Sequence, residues 1–356
     1  MHESNTVVPA GTVGLDVSDR YTQVYVVDAA GQRVEETRIR TTPAGVQRWF
    51  TGRPRMRVVL EVGTHSPWLS RAVVACGHEV LVANARKLRL IYQNDRKSDR
   101  VDAASLARLG RLDPTLLAPI RHRGEAVQAD LTLLRARETL VRARAQLVNH
   151  VRGAVKAVGA RLPACSTPSF PLRVAGALPD VLRPALEPLL ATLRQLNTQI
   201  RQYDRTLARV AQERYPETTR LRQVKGVGPL TALCYVLTLE DPQRFRRSRA
   251  VAAYLGLCPR QWDSGERQAQ LRITRAGDGM TRRLLVSAAQ YILGPFGPDT
   301  ALRRWGLGLV ARGGRFPKQR AVVAVARKLA GLLHSLWMHD RDYVPEGLPG
   351  RVAAAA

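Results

Sequence analysis

Four carboxylates in the first third of the chain have the residue types and the order of a metal-dependent phosphodiester site. Asp16 lies within the apolar segment VGLDVSD, and Glu61 ends a second apolar segment, VVLEV. A carboxylate among apolar neighbours is costly unless a cation or a hydrogen-bond donor compensates it. Asp99 and Asp102 are three residues apart in a helical segment and therefore share a face. Converging at one sheet edge, the four could hold two Mg²⁺ ions that act on phosphate esters.

Each acid also has a purely structural interpretation. Asp16 could accept a hydrogen bond at a strand end, and Asp99 and Asp102 could pair with Lys97 or Arg100 on a solvated face. The order of the four acids along the chain favours the joint metal site over these separate explanations.

Ser264 is a second candidate for chemistry, within CPRQWDSGERQAQLRIT at 258–274. A serine nucleophile needs a base, a metal or nearby cations, and this segment contains no histidine. Arginines suited to holding a phosphodiester are present in the segment, at Arg260, Arg267 and Arg272, and directly after it, at Arg275. Taken alone, these residues favour a turn in a phosphate-binding region and leave a nucleophile as the alternative.

The segment LRQVKGVGPLTALCYVL at 221–237 indicates a helix-hairpin-helix. Gly226 and Gly228 allow a sharp turn whose backbone N–H groups can reach a phosphate at a helix N-terminus, beside Lys225. The same two glycines also suit any tight helix–helix turn.

The elements that must position the acids have an RNase H-like (RuvC-like) pattern. Three segments with period-2 apolar spacing predict a meander of three strands over 12–41, followed by a helix at 43–52 and a strand at 56–62. A helix at 66–76, a short strand at 78–84 and a helix at 98–111 complete a mixed α/β sheet. A parallel Rossmann sheet fits less well, because crossover helices and a G-x-G-x-x-G motif are missing.

The rest of the chain is predicted to be mainly helical. Apolar residues from Leu182 to Val210 recur at spacings of four and three, which is a heptad seam, and Val127 to Val148 repeats it less regularly. The seam could close a bundle within one chain or also join two copies. We therefore predict a catalytic domain at 1–120, a coiled-coil region at 121–214, a C-terminal domain at 215–345 and a disordered tail at 346–356.

The charge points to a polyanionic partner. The chain carries 56 Lys+Arg, most of them arginine, against 29 Asp+Glu, for a net charge of +27. Such an excess favours nucleic acid as the binding partner. The positive charge is densest in residues 242–328, which have 18 Lys+Arg against 4 Asp+Glu.

The four cysteines are far apart in the sequence, so we predict that they are reduced thiols. Without a signal peptide or a long uncharged apolar stretch, we expect a cytoplasmic protein near the nucleoid and no membrane.

A rival interpretation of GLDVSD is the first phosphate loop of an actin-like or sugar-kinase ATPase. A second phosphate loop is not found, and the basic C-terminal half would be unexplained, so this class is disfavoured.

Seven motifs together resemble, in order and spacing, the insertion-sequence 110 family of transposases, from about residue 12 to 340. They are GLDVSD, LEVGTHSPWLSR, KSDRVDAASLARL, RLRQVKGVGPLTAL, FRRSRAVAAYLGLCPRQWDSGE, LRITRAGDGMTRRLLV and AVVAVARKLAGLLHSLW. The resemblance implies a RuvC-like DEDD domain, a coiled coil and a C-terminal transposase domain. It also implies a structured noncoding bridge RNA that pairs with donor and target DNA.

By motif, the resemblance assigns the DEDD acids to Asp16, Glu61, Asp99 and Asp102. It also assigns Ser264 as the nucleophile, which would form a covalent 5′-phosphoserine link with DNA. It implies Mg²⁺ at the acids of one subunit acting with the serine of another, hence a dimer and a tetramer on DNA. Asp263 adds a negative charge beside the serine whose role the sequence leaves open. Two alternatives remain: a metal-only RuvC-like Holliday-junction nuclease with Ser264 structural, and a non-catalytic nucleic-acid-binding protein.

Overall fold

The computed structural model describes residues 9–85, 98–260, 263–264, 267–268 and 271–346, with the backbone alone at 263–264 and 267–268. The predicted tail at 346–356 lies outside these residues, apart from residue 346. The chain divides into two compact units, residues 1–123 and 124–356, which we call the N-terminal and C-terminal units. The further boundary expected at 214/215 stays a prediction.

The strands of the N-terminal unit follow the period-2 and apolar patterns of the sequence. Their bounds are β1 Thr12–Val17, β2 Tyr21–Val27, β3 Arg33–Arg40, β4 Arg57–Glu61 and β5 Glu79–Ala83. They form one sheet in the order β3-β2-β1-β4-β5. β1, β2 and β3 pair antiparallel, whereas β4 pairs parallel to both β1 and β5. The predicted mixed α/β sheet is confirmed.

Helices cover both faces of this sheet. They are α1 Pro43–Phe50, α2 Ser66–Ala75 and α3 Asp99–Leu112. Val13, Leu15, Val58 and Leu60 pack on one face against α1 and α2, in a core that includes Phe50 and Val73. The other face packs Val59 against Leu106 of α3. The strands are apolar on both sides because both sides are buried.

Two long helices begin the C-terminal unit, α4 Glu125–Ala157 and, after the short α5 Phe170–Arg173, α6 Arg183–Arg214. Leu131 and Leu134 near the start of α4 pack with Leu207 near the end of α6. Val148 and Val155 near the end of α4 pack in one cluster with Leu186, Leu190 and Leu193 near the start of α6. The two helices are therefore antiparallel neighbours, and much of the heptad seam is buried inside one chain.

The remaining helices enclose a second core. They are α7 Glu217–Leu221, α8 Pro229–Leu239, α9 Ser248–Tyr254, α10 Gly279–Leu293, α11 Ala301–Ala311 and α12 Pro317–Met338. α12 is long and apolar enough to cross a membrane by length and composition alone, the single such helix within the described residues. Val325, Leu329 and Leu333 of α12 are fully buried in this core. The apolar character of α12 thus has an explanation in the packing of the unit.

Candidate functional site

The first two predicted acids lie side by side at the carboxyl ends of parallel strands. The register of β1 and β4 pairs Gly14 with Val59 and Leu15 with Leu60. Asp16 and Glu61 each follow that last pair by one residue. The parallel pairing, with strands about 4.8 Å apart, therefore brings together two acids that are 45 positions apart in the sequence.

Both acids point to the face of the sheet that α3 covers. A Cβ built on Gly14 would lie against the backbone of Ala103 and Ala107 in α3, so Gly14 faces that helix. Val59 packs against α3 as well. Side chains two residues apart on a strand project from the same face of the sheet. Asp16 therefore projects from the same face as Gly14, and Glu61 from the same face as Val59, which is the face that α3 covers.

Helix α3 approaches the sheet closely because small residues meet where the two pack. A Cβ on Gly14 would be 1.9 Å from the carbonyl oxygen of Ala103, and one on Gly110 would be 2.3 Å from Cγ2 of Val59. Gly110 also lies near Thr12, at the start of β1. The C-terminal end of α3 therefore lies over the start of β1, and its N-terminal turn lies toward the end that carries Asp16.

That N-terminal turn carries the other two acids. Asp99 and Asp102 lie one turn before Ala103 and Leu106, on the helical stripe that packs on the sheet. The turn is capped by Ser98, whose hydroxyl accepts a hydrogen bond from the backbone N–H of Val101. Asp99 is exposed, whereas Asp102 is partly buried. We call Asp16, Glu61, Asp99 and Asp102, with the strand ends and helix turn that carry them, the acidic edge.

The backbone of β1, β4 and α3 brings the four positions of the acidic edge to one end of the sheet. Within the described residues, no group of three or more His, Cys, Asp or Glu side chains is close enough to hold a metal ion. The donor set nevertheless suits Mg²⁺, which prefers carboxylate oxygens and retains several waters.

The turn that follows Glu61 is held by a closed hydrogen-bond network. The hydroxyl of Ser66 donates to the carbonyl of Gly63 (2.8 Å) and accepts from the N–H of Gly63 (3.0 Å). Nε2 of His122 is 2.8 Å from the same hydroxyl. Burial, together with the charges of Arg71 and Arg123, lowers the pKa of His122. Because the Ser66 hydroxyl gives its single hydrogen to the carbonyl of Gly63, Nε2 of His122 is the donor in this contact.

A histidine that sequence analysis did not single out lies at the same strand ends. His65, just after β4, contacts Asp19, just after β1, with Nε2 and Oδ1 3.0 Å apart. The indole N–H of Trp68 donates to Nδ1 of His65 (3.1 Å), which leaves the proton on Nε2, facing Asp19. His65 and Asp19 are 46 positions apart, so only the β1–β4 pairing could have revealed the contact.

Ser264 lies in a short antiparallel ribbon of the C-terminal unit. Asp263–Ser264 (β6) pairs with Arg267–Gln268 (β7), and the register sets Ser264 opposite Arg267. Before these strands, the N–H of Arg260 donates to the carbonyl of Arg272, 3.0 Å away. Arg260, Arg272 and Arg275 are exposed. The pairing thus brings the backbone of the predicted nucleophile beside arginine-bearing positions.

The base of this ribbon is fixed by two glycines and an arginine. A Cβ on Gly256 would be 2.3 Å from the backbone nitrogen of Ala276, and one on Gly277 would be 2.1 Å from the carbonyl oxygen of Tyr254. Both glycines have positive φ, which disfavours other residues. Arg282 donates to the carbonyls of Leu255 (2.9 Å) and Ala276 (2.6 Å) and joins the two arms.

The predicted phosphate-binding turn joins α7 to α8. Gly226 has a φ of +97°, whereas Gly228 is the N-cap of α8 and has open space around its Cα. Lys225 and Gly228 are both exposed. This turn leaves the residues proposed to bind a phosphate accessible, and their role stays a prediction.

Asp278 caps α10 immediately after the ribbon. Its carboxylate accepts hydrogen bonds from the backbone N–H (2.7 Å) and the hydroxyl (3.0 Å) of Thr281, and Arg135 lies 3.3 Å away. Burial acts to raise the pKa of Asp278, but the bonds from Thr281 and the charge of Arg135 outweigh it, and the pKa is lowered.

We expect Asp278→Ala to destabilise the C-terminal unit by about 1 to 2 kcal/mol at pH 7, the usual cost of removing an N-cap. Because the pKa is lower in the folded state, the charged form contributes stability above about pH 3.9, the value in an unfolded chain. That contribution is lost as the pH falls through the folded pKa. Urea unfolding from pH 7 to pH 2.5 should show the difference from wild type shrinking below about pH 4. Asp278→Asn, which can still cap, should show a smaller loss at pH 7.

Cys234 is not a candidate for chemistry. It is fully buried, and burial raises the pKa of its thiol to about 11, so the thiol stays protonated. The cysteines are free thiols, as the sequence predicts.

The five-stranded mixed sheet with its acidic edge is consistent with a DEDD nuclease-like domain. Two family models match the chain: the DEDD transposase model of IS110 elements over residues 13–159, and the transposase model of the IS116/IS110/IS902 family over residues 218–301. The chain belongs to the IS110 family of insertion-sequence transposases.

Named relatives agree with this family. The transposase for insertion sequence element IS1111A of Coxiella burnetii is 32% identical over 71% of this chain and 70% of its own length. A Sinorhizobium fredii protein that carries the name of a transposase is 30% identical over 93% of this chain and 85% of its own length. The transposase for insertion sequence element IS1328 of Yersinia enterocolitica is 26% identical over 79% of this chain and 83% of its own length.

Proposed function

We propose that this transposase is an RNA-guided recombinase that cleaves and rejoins DNA through a covalent phosphoserine at Ser264. The proposal includes Mg²⁺ at Asp16, Glu61, Asp99 and Asp102, a bridge RNA, and a dimer that becomes a tetramer on donor and target DNA. It places the protein in the cytoplasm, near the nucleoid. The observation that carries it is the pairing of Ser264 with Arg267 in one unit of a chain whose other unit bears the acidic edge.

The chemical step assigns a role to each group. Oxygen Oγ of Ser264 attacks the phosphorus, the bond from phosphorus to the 3′-oxygen breaks, and the 3′-oxygen leaves with a proton as a hydroxyl. A 3′-hydroxyl from another strand then attacks the phosphoserine, restores the diester and releases Ser264. Metal at the acidic edge, when bound, supplies Lewis-acid stabilisation of the charge that develops on these oxygens.

Arginines would hold the phosphate during this exchange. Arg260, Arg267, Arg272 and Arg275 are placed by the ribbon or at its base, and a guanidinium can donate two hydrogen bonds to one phosphate. We propose that Lys225, with the backbone of Gly226 and Gly228, binds a phosphate farther along the DNA. The serine has no base beside it in sequence, so it should stay inert until a carboxylate or metal of another domain reaches it.

The test is a covalent adduct. Wild-type protein, Mg²⁺, candidate bridge RNA and nicked suicide DNA are incubated and resolved on a denaturing gel, and the modified peptide is mapped by mass spectrometry. We expect an adduct at Ser264 that needs both Mg²⁺ and RNA and that disappears in Ser264→Ala. Ser287→Ala, which changes an exposed serine of α10, is the matched control and should form the adduct normally.

Other outcomes support the alternatives. Cleavage that persists in Ser264→Ala would indicate a metal-only nuclease, and salt-dependent binding without cleavage would indicate a binding protein. An adduct that forms equally well without RNA would contradict RNA guidance. Sedimentation of the protein with and without DNA tests the proposed dimer and tetramer. The helical seam is largely buried within one chain, so it does not by itself support association between copies.

A further inference from the structure

A groove in the N-terminal unit runs along the end of β3 and the outer side of α1. It consists of two cavities of about 450 Å³ and about 720 Å³ that share Arg40 and Thr42. The first is lined by the turn into β2, at Asp19 to Tyr21, and the second continues to Arg48 and Arg53 of α1 and the loop after it. We call these two cavities together the arginine groove.

The arginine groove has a surplus of positive charge. Arg53 is neutralised by Glu35, to which its two terminal nitrogens donate at 2.7 and 3.2 Å. Arg38, Arg40 and Arg48 are exposed, and no acidic partner within 4 Å is found for any of them in the part of the chain that the structure describes. Three guanidinium groups thus remain available for an anionic ligand.

Aromatic rings orient several of these arginines. The guanidinium of Arg38 lies 4.3 Å from the ring centre of Tyr21, and that of Arg40 lies 5.9 Å from it. Arg53 stacks 3.9 Å from the centre of Trp49, whose indole N–H donates to Glu35. Stacking occupies the flat face of a guanidinium and leaves its N–H edge free to bind phosphate oxygens.

The groove begins at the end of the sheet where the acidic edge lies. Arg40 pairs with Tyr21 at the last position of β3, and the N–H of Thr41 donates to the carbonyl of Arg20. Tyr21 starts β2, four residues after the end of β1. Because β1 and β3 run parallel to each other across β2, their carboxyl ends are at the same end of the sheet as Asp16.

We propose that the arginine groove binds the phosphodiester backbone of the DNA strand that continues beyond the scissile phosphate. The groove has the charge, the donor geometry and the position to hold phosphates outside the acidic edge, and it lies in a different unit from the arginines of the Ser264 ribbon. Its role as a cleavage-strand site rests on the proposed function, whereas its binding of nucleic acid does not. Base edges are not needed, so the binding is independent of sequence.

The test compares two pairs of substitutions of equal charge. Arg40→Gln with Arg48→Gln removes two groove arginines, and Arg55→Gln with Arg108→Gln removes two exposed arginines outside the groove. Both pairs are made in the full chain with Asp102→Asn, so that binding is measured without cleavage. Affinity for single-stranded DNA, duplex DNA and RNA of one sequence is measured from 50 to 400 mM salt by fluorescence anisotropy.

We expect the groove pair to weaken DNA binding about tenfold or more at 150 mM salt and to lower the slope of log K against log salt by about 1.5. The control pair should change affinity by no more than about twofold. Arg40→Lys with Arg48→Lys should keep most of the salt slope, because the charge remains. Thermal unfolding checks that each variant is folded, and Arg48→Gln alone is the fallback if the double variant is not.

Three results would overturn the proposal: an unchanged slope in the groove pair, an equal loss in the control pair, or a loss confined to RNA. The last would assign the groove to RNA instead of DNA. These results are independent of the adduct assay. Loss of binding in the groove pair together with cleavage that survives Ser264→Ala would support the groove while rejecting the serine chemistry.

Discussion

Asp102→Asn is expected to lower DNA cleavage by about 1000-fold or more while DNA binding is retained. The substitution keeps the size of the side chain but removes the charge that binds Mg²⁺, and a loss of about 4 kcal/mol of transition-state stabilisation corresponds to that factor. Asp102 is partly buried on the stripe of α3 that packs on the sheet, at the end where Asp16 lies. Cleavage is followed on end-labelled DNA at saturating Mg²⁺, and binding is measured separately in Ca²⁺.

The matched control is Asp28→Asn. Asp28 lies in the turn after β2, at the opposite end of the sheet, where its Oδ1 accepts a hydrogen bond from the N–H of Gln32. An asparagine can accept the same bond, so cleavage should stay near the wild-type rate. Cleavage by Asp102→Asn or Asp16→Asn at the control rate would remove the acidic edge from the mechanism. Full activity of Asp99→Asn alone would reduce the site to three acids.

Gly14→Ala is expected to destabilise the N-terminal unit by about 3 kcal/mol, the upper part of the usual range for overpacking. Its new Cβ would lie 1.9 Å from the carbonyl oxygen of Ala103 and 2.6 Å from the backbone nitrogen of Ala107. Backbone atoms cannot rotate away as a side chain can, so α3 must move outward and carry Asp99 and Asp102 with it. Cleavage should fall with stability, and amides of β1 and α3 should exchange hydrogen about 100-fold faster.

Gly63→Ala serves as the control for the backbone clash. Gly63 lies in the same unit, has nothing within 4 Å of a built Cβ, and does not have a positive φ. Its exchange rates in β1 and α3 should therefore match those of the wild type. Normal hydrogen exchange of α3 in Gly14→Ala would mean that the close approach of helix and strand is not what positions the acids.

The periodicity of the sequence was enough to predict the five strands and the three helices of the N-terminal unit. Asp16 and Glu61 were noticeable because each is a charge in an apolar strand, which is a local signal. The contact of His65 with Asp19 was missed because neither residue is unusual in its own segment. It arises from the pairing of β1 with β4, and nothing at either position encodes that pairing by itself.

Two other limits have physical causes. The heptad spacing from Leu186 to Leu207 predicted a buried seam correctly, but spacing is the same whether the partner helix belongs to the same chain or to another. Likewise, Gly14 has no local signature of close packing, because a glycine in a strand also marks bulges and bends. Its role becomes clear only when α3 is placed over it.

The charges of β3 also affect aggregation. β3 lies at one end of the strand order, so its outer backbone groups could template a strand from another molecule. Arg38 and Arg40, for which no acidic partner within 4 Å is found among the described residues, make such an addition unfavourable, because two copies brought together would bury unpaired charges. The arginines that we assign to DNA thus also help to keep the sheet from growing beyond one chain. Variants that remove them should be checked for self-association by light scattering before a loss of binding is interpreted.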